Sequence, residues 1–258
     1  MKASVSKKYG TPEVFRIEEV ATPIPKHNEV LVRVYAATVT GSDLMMRKGK
    51  PYIGRLYLGL SKPKTTILGF DFSGEVVEIG KNVTSFKVGD KVFGGTTSLG
   101  CYAEYTCVNM DDVITTMPKN SSYQSATPLS GSGITVMNFL KGLAKLKTGD
   151  TLLINGASGS LGTYAVQIAK YFGAEVTGVC STTNMKMVKD LGADYVIDYT
   201  NEDFTKNDKQ YDVIFDTVGK TTFSHCRNSL TENGIYLSSV LSIPILLQMI
   251  KTFLFGSK

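Results

Sequence analysis

The sequence has few cysteines, and its first residues form no apolar run. Its four cysteines, among 258 residues, lie at positions 101, 107, 180 and 226. They have neither the Cys-x-x-Cys spacing nor the density of a secreted disulfide scaffold. Residues 1–16 carry charges and no apolar run, so they cannot act as a secretory signal. We therefore expect reduced thiols and a cytoplasmic protein.

Long apolar runs and single-sign charge stripes are also lacking. The most apolar segment, Val240–Phe255, contains Pro244, Gln248 and Lys251 and is shorter than the ~20 residues of a membrane span. It predicts a packed helix, with membrane contact as a minor alternative. The net charge of +5 is scattered over a chain that is 42% apolar and 20% charged. This composition is typical of a globular protein and gives no reason to expect a nucleic-acid partner.

The two halves of the chain follow different patterns. Up to about Pro118, short β-rich runs alternate with Gly, Asp and Asn turns, which predicts an all-β, barrel-like domain over residues 1–121. In residues 122–258, apolar strands alternate with helical stretches, which predicts a parallel sheet. The runs in the first half are Val30–Val39, Gly74–Ile79 and Lys91–Phe93. Those in the second half are Thr151–Ile154, Glu175–Val179, Tyr195–Ile197, Val213–Phe215 and Ile235–Ser239, with helices over Leu161–Phe172 and Asn184–Leu191.

Glycines at 156, 159 and 162 lie between a buried strand and an amphipathic helix. A turn of this kind lets the backbone approach a pyrophosphate closely, and the helix N-terminus favours the anion. A purely structural turn is the alternative, but the flanking strands and helix favour dinucleotide binding.

The residues after the second strand of this half indicate which nicotinamide cofactor is used. An NAD site has an acidic residue there to hold the ribose 2′-hydroxyl, whereas this sequence has Cys180 followed by Ser181, Thr182 and Thr183. Hydroxyls and Lys186 can donate to a 2′-phosphate. The sequence therefore predicts NADPH, although a single lysine is also a common solvated helix residue.

The stretch from Gly149 to Lys170 closely resembles the signature of quinone oxidoreductases related to zeta-crystallin, except that Ser160 stands where that signature usually has a second glycine. Upstream, Gly69–Val76 and Phe86–Gly94 resemble the GroES-like catalytic domain of medium-chain dehydrogenases/reductases. The resemblance implies an α/β protein with a GroES-like β-barrel-type domain followed by a Rossmann doubly wound parallel sheet. Relatives continue beyond the equivalent of Val240–Lys258 with a sixth strand and a return segment, which this sequence is expected to lack.

The resemblance also predicts that no metal is bound. In zinc-dependent members a Cys and a His-Glu pair hold the catalytic metal, and the aligned positions here are Thr40, Phe70 and Asp71. Thr and Phe cannot supply the thiolate or imidazole that zinc prefers. The structural zinc loop needs four cysteines, and only Cys101 and Cys107 fall in that region.

Without a Lewis acid, we expect hydride transfer from NADPH to a quinone or an α,β-unsaturated carbonyl. The candidate catalytic residues are Thr40, Asp43 and Tyr52, in segments that face substrate or donate a proton in relatives. Asp43 suits a turn or helix cap equally well. Tyr52 is one residue further from Gly49 than the tyrosine of related enoyl reductases, so a surface tyrosine is an equal alternative.

Further residues are expected at the cofactor by the same resemblance. Thr135 is expected by the nicotinamide, Lys186 and Tyr199 at the 2′-phosphate, and the Asp216–Gly219 loop beneath the cofactor, although a plain strand-to-helix turn explains that loop equally well. The predicted cofactor-binding set is Thr135, Gly156, Ser158, Gly159, Ser160, Leu161, Gly162, Ser181, Lys186, Tyr199 and Val218.

Two other functions remain open. One is an aldehyde or alcohol dehydrogenase, which turnover of unconjugated carbonyls would indicate. The other is a nucleotide-binding protein with little or no turnover. The expected partner is a small-molecule substrate rather than nucleic acid or a membrane, and an exposed sheet edge leaves a homodimer open.

Overall fold

The structure is a computed structural model that describes residues 1–240 together with Ile245 and Gln248. The chain divides into two compact units, Met1–Gly131 and a second one that begins at Ser132. The predicted helix over Val240–Phe255 falls on residues that, beyond Val240, lie almost entirely outside the described part of the chain. Among the described residues, no helix is long and apolar enough to cross a membrane.

The first unit is built on antiparallel sheets. A pair of strands, β1 with β2, accompanies a sheet of order β6-β3-β4-β5-β7. Alternate residues of these strands, such as Val30, Val32 and Val92, are fully buried together with Phe72 and Val76. The strands are β1 (Lys2–Ser6), β2 (Phe15–Glu19), β3 (Glu29–Ala37), β4 (Asp71–Ile79), β5 (Lys91–Gly95), β6 (Tyr105–Asn109) and β7 (Val113–Thr116).

The all-β prediction for this unit is wrong in one respect, because helices α1 (Gly41–Lys48) and α2 (Arg55–Leu58) follow β3. Thr40 caps α1 at its start, and Gly49 ends it in the left-handed conformation at φ 60°. Both signals are standard for helix ends.

The first unit also extends beyond the predicted boundary between residues 121 and 122. Helix α3 (Tyr123–Pro128) packs on β3 and β4. The Ser73 hydroxyl donates to the Tyr123 carbonyl at 2.8 Å and lies 2.7 Å from the Thr127 hydroxyl. These hydrogen bonds hold α3 to the antiparallel sheet.

The second unit has a parallel sheet of order β10-β9-β8-β11-β12, which corresponds to 3-2-1-4-5 of a Rossmann sheet. Apolar residues such as Leu152, Ile154 and Phe215 are completely buried and pack with Ala165 and Val166 of the helix after β8. The strands are β8 (Thr151–Asn155), β9 (Glu175–Cys180), β10 (Tyr195–Asp198), β11 (Tyr211–Asp216) and β12 (Leu230–Ser238). The helices are α4 (Ile134–Met137), α5 (Ser160–Tyr171), α6 (Met185–Asp190) and α7 (Phe223–Cys226).

The order of the strands fixes where a ligand belongs in this unit. In such sheets ligands bind at the carboxyl ends of the strands, where the strand order reverses. That point lies between β8 and β11, whose last residues are Asn155 and Asp216.

Candidate functional site

The glycine-rich turn after β8 is held to the neighbouring strand β9. The amides of Gly156 and Ala157 both donate to the Val179 carbonyl, at 3.1 and 2.9 Å, and the amide of Gly159 donates to the Gly156 carbonyl at 3.0 Å. These three amides are therefore engaged within the protein. These hydrogen bonds fix the shape of the turn.

Two of its glycines are required by close packing. Gly156 has φ +87°, and a Cβ there would lie 2.3 Å from Val218 Cγ2. A Cβ on Gly162 would lie 2.1 Å from the Gly156 carbonyl oxygen. Gly162 thus allows the start of α5 to approach the turn, as the fingerprint requires.

The amides that remain for an anion are those of the first turn of α5. Ser160, Leu161 and Gly162 precede the first backbone bond of the helix, which runs from the Thr163 amide to the Gly159 carbonyl at 2.9 Å. Their N–H groups and the positive end of the helix dipole favour a negatively charged group. Gly156 and Gly159 were predicted in the same set, but their amides already donate within the protein, so these glycines leave room for the turn rather than supply hydrogen-bond donors to an anion.

Ser160 has a structural partner that a glycine would lack. Its hydroxyl lies 2.7 Å from the hydroxyl of Ser132. Ser132 belongs to the π-helical turn Leu129–Gly133, which leads directly into α4. Since Thr135 is the second residue of α4, this contact holds the threonine that is predicted by the nicotinamide on an element next to α5.

A buried aspartate shapes the end of β9. Asp198, the last residue of β10, accepts hydrogen bonds from the Thr182 hydroxyl and from the Thr200 amide and hydroxyl, the latter two at 2.9 and 2.7 Å. Asn201 Nδ2 adds a fourth at 2.8 Å. The hydrogen bonds from Thr182 and Thr200 lower the pKa of Asp198. Sequence reasoning found no acid directly after β9 and missed this one, because it reaches the segment from the neighbouring strand.

The other residues predicted at the 2′-phosphate lie around the same strand end. The amide of Tyr199 donates to the Cys180 carbonyl at 3.1 Å, and its side chain is 62% exposed. The Ser181 hydroxyl is 3.2 Å from that of Thr183. Lys186 is an exposed residue of α6 that pairs with Asp190 at 2.6 Å. Exposed pairs of this type are weak, so the lysine can turn to another anion.

The loop after β11 is organised by Asp216, which is fully buried. One carboxylate oxygen accepts from the amides of Val218 and Gly219 at 3.1 and 3.0 Å, and the other accepts from the Tyr236 hydroxyl at 3.1 Å. Burial, together with the nearby Asp216 carboxylate, raises the pKa of Tyr236. Val218 is thereby held against the turn at Gly156. The position of this loop beneath a cofactor stays a prediction.

In the first unit, Thr40 and Asp43 form a capping box at the start of α1. The Thr40 amide and hydroxyl donate to Asp43 Oδ2 at 2.8 and 2.6 Å, and the Asp43 amide donates back to Thr40 Oγ1 at 3.4 Å. Asp43 is buried. The capping alternative for Asp43 is therefore realised, and its three-residue spacing from Thr40 is the signal that indicates it.

Asp71, at the aligned position of the zinc-site glutamate, is also buried. It accepts hydrogen bonds from Thr38 Oγ1 at 2.7 Å and Ser130 Oγ at 3.0 Å. Burial raises the pKa of Asp71, although these hydrogen bonds oppose the shift. Within the described part of the chain, no three His, Cys, Asp or Glu side chains are grouped to hold a metal ion.

Tyr52 lies on a 3-10 turn, Tyr52–Gly54, and is 66% exposed. Its ring is 5.0 Å from the guanidinium of Arg55 and 5.6 Å from the ammonium of Lys50. This is the environment of a surface tyrosine, and a catalytic role for Tyr52 stays a prediction.

Comparison with known proteins matches both units. Residues 26–119 match the alcohol dehydrogenase GroES-like domain family, and residues 160–239 match the zinc-binding dehydrogenase family. The human mitochondrial NAD(P)H oxidoreductase RTN4IP1 is 34% identical over 270 residues, which cover 96% of this chain and 67% of that protein. The chain belongs to the medium-chain dehydrogenase/reductase family, in its quinone oxidoreductase-like branch.

Further members of the family support this assignment. The 2-methylene-furan-3-one reductase of Solanum lycopersicum is 34% identical, and the match spans 85% of this chain but only 58% of that protein. The crystal structure of Escherichia coli quinone oxidoreductase complexed with NADPH superposes with a TM-score of 0.81 at 26% identity, covering 96% of this chain and 78% of that one. The predicted family and fold are confirmed.

Proposed function

We propose that this chain is an NADPH-dependent reductase that transfers hydride to a quinone or an α,β-unsaturated carbonyl without a bound metal. The observation that carries the proposal is the arrangement at the carboxyl edge of the parallel sheet. The open amides of Ser160, Leu161 and Gly162 lie at the start of α5, and hydroxyls rather than an acid follow β9.

The residues present suit the cofactor. The three amides of the α5 turn would bind the pyrophosphate, and Val218 would pack beneath the cofactor. Ser181, Lys186 and Tyr199 would hold the 2′-phosphate through hydroxyl and ammonium donors. When bound, NADPH supplies the hydride, and the protein supplies binding, orientation and exclusion of competing reactions.

Asp198 does not make the site selective for NAD. Its two carboxylate oxygens already accept four hydrogen bonds, from Thr182, Thr200 and Asn201. A ribose 2′-hydroxyl would have to displace one of them. The carboxylate instead fixes the segment that presents Ser181.

The expected acceptor follows from the chemistry available at the aligned zinc positions. Thr40, Phe70 and Asp71 do not form a zinc ligand set. Reduction of an isolated carbonyl needs strong stabilisation of a localised oxyanion, whereas a conjugated acceptor spreads the charge. The tomato relative is named for a substrate that carries a methylene group next to a ketone. An enone or quinone acceptor agrees with both points.

Calorimetry with NADPH and NADH, followed by loss of the reduced nicotinamide absorbance with a panel of acceptors, tests the proposal. We expect tighter binding of NADPH and turnover with quinones or enones. Turnover of unconjugated aldehydes would favour an aldehyde or alcohol dehydrogenase, and binding without turnover would favour a nucleotide-binding protein. A folded protein that binds neither cofactor would refute the proposal.

Cytoplasmic location and a homodimer stay predictions. The human relative named above is mitochondrial. Size-exclusion chromatography with light scattering would settle the oligomeric state.

A further inference from the structure

Asn184 connects the two loops that flank the proposed phosphate sites. Its side-chain Nδ2 donates to Ser158 Oγ at 3.3 Å and to Ser181 Oγ at 3.1 Å. Ser158 lies in the turn between β8 and α5, and Ser181 directly follows β9. One amide group therefore holds together two segments that come from different strands.

These contacts are not explained by helix capping. Asn184 occupies the N-cap position of α6, where an Asn side chain commonly accepts a hydrogen bond from a helix amide. Here the side chain makes no capping hydrogen bond. Its amide group is used for the two serines instead.

The direction of these hydrogen bonds matters for an anion. A serine hydroxyl that accepts from Asn184 keeps its own hydrogen free to donate. Ser158 then presents an O–H donor beside the α5 amides. Ser181 does the same at the end of β9 when the Thr183 hydroxyl, 3.2 Å away, donates to its oxygen, which can accept from both Thr183 and Asn184. Hydrogen bonds from such donors to an ionised phosphate are stronger than those between neutral groups.

We propose that Asn184 is a positioning residue for NADPH, which fixes the distance between the pyrophosphate and 2′-phosphate sites and keeps the hydroxyls of Ser158 and Ser181 as donors. This inference rests on the proposed function. Sequence reasoning counted Asn184 only as the first residue of a helix, because its partners become neighbours only in the folded sheet.

Three variants test the role. Asn184→Ala removes both hydrogen bonds. Asn184→Asp keeps the size of the side chain but can only accept, so it turns both serine hydrogens towards itself and adds a negative charge. Asn207→Ala is the matched control, since Asn207 also bridges two residues, Glu202 and Lys209, through its side-chain amide.

The readouts are the Kd values of NADPH and NADH from calorimetry and the melting temperature. We expect Asn184→Ala to weaken the binding of NADPH about tenfold, which is the effect of one charge-assisted hydrogen bond. The binding of NADH should weaken less, because only NADPH has a 2′-phosphate to contact Ser181. Asn184→Asp should weaken NADPH further. KM for NADPH should rise while kcat at saturation stays close to that of the wild type. Asn207→Ala should leave both Kd values unchanged.

A double-mutant cycle with Ser181→Ala separates positioning from a general effect. If Asn184 acts through Ser181, Asn184→Ala should cost less NADPH affinity in the Ser181→Ala background than in the wild type. Fully additive losses, or equal losses for NADPH and NADH, would overturn the inference. So would wild-type affinity in Asn184→Asp. A wild-type protein that binds no NADPH would instead defeat the proposed function, so the two failures are distinguishable.

Discussion

Asn155, at the end of β8, donates a 3.0 Å hydrogen bond to the buried carboxylate of Asp216, at the end of β11. The bond joins the two strands between which the order of the parallel sheet reverses. The same carboxylate accepts hydrogen bonds from the backbone amides of Val218 and Gly219 in the following loop. This loop packs against Gly156. One buried acid thus connects the sheet, the loop and the glycine-rich turn.

Asp216→Asn is expected to lower the free energy of unfolding by about 2–4 kcal/mol. The asparagine side chain has only one oxygen that can accept hydrogen bonds, so some of the buried N–H and O–H donors that now bond to the carboxylate would lose their partner. Urea denaturation measures the effect. Asp190→Asn, which removes an exposed partner of Lys186, should cost less than about 0.5 kcal/mol. Similar midpoints for the two variants would contradict the assigned role of Asp216.

Much of the fold follows from local sequence. The apolar runs predicted the strands of the parallel sheet to within a few residues, except that β12 begins at Leu230 rather than at Ile235. The glycine spacing predicted the turn between β8 and α5. The apolar runs and the glycine spacing are both local signals, because burial and backbone conformation restrict which residue types occur at neighbouring positions.

The parts that sequence did not predict depend on contacts between distant segments. Asp198 reaches Thr182, and Asn184 reaches Ser158, only after β8, β9 and β10 are aligned side by side. A single sequence carries no periodic signal for such pairs. The packing of helix α3 on the first unit was not predicted for the same reason, because its hydrogen bond to Ser73 joins distant parts of the chain.

Gly162→Ala is expected to weaken NADPH binding and to destabilise the protein. The added Cβ would lie 2.1 Å from the Gly156 carbonyl oxygen, so the start of α5 must move away from the turn. Overpacking of this kind costs typically about 1–3 kcal/mol. The melting temperature and the Kd of NADPH measure both effects. Gly142→Ala is the control, since an added Cβ there meets nothing within 4 Å, and it should leave binding unchanged.

The stability of the first unit should depend on the ionisation of Asp71. Burial raises the pKa of this carboxyl from its ordinary value of 3.8, against the hydrogen bonds from Thr38 and Ser130. The folded protein therefore holds the proton more tightly than the unfolded chain does. This contribution to stability is present at low pH and is lost as the pH rises through the folded-state pKa.

The free energy of unfolding of Asp71→Asn and of the wild type, measured by denaturation over a pH series, tests this dependence on the ionisation of Asp71. As the pH rises from about 4 towards neutrality, the wild type should lose unfolding free energy relative to the variant, which cannot ionise. Asp203 is a control with the opposite pH dependence. Hydrogen bonds from Thr205 lower its pKa, so its contribution to the free energy of unfolding is lost as the pH falls rather than as it rises. Parallel pH profiles for Asp71→Asn and wild type would show that the carboxyl does not titrate in this range.

Thr40→Ala should lower the free energy of unfolding by about 1 kcal/mol, because it removes the hydroxyl of the capping box at the start of α1. Thr40→Ser keeps that hydroxyl and should retain most of the stability. Steady-state kinetics on both variants then distinguishes the effect of losing the helix cap from an effect on catalysis. A loss of kcat in Thr40→Ser at unchanged stability would indicate that Thr40 also contacts the substrate.

Lys186→Ala should change cofactor preference and leave stability almost unaltered. The side chain is 88% exposed and pairs with Asp190 on the same helix, an interaction of at most a few tenths of a kcal/mol. If its ammonium turns to the 2′-phosphate, its loss should weaken NADPH about tenfold and leave NADH unchanged. Lys206→Ala provides the comparison, since Lys206 is also an exposed lysine paired with a nearby aspartate, Asp203. Equal NADPH affinities for Lys186→Ala, Lys206→Ala and wild type would mean that hydroxyls alone recognise the 2′-phosphate.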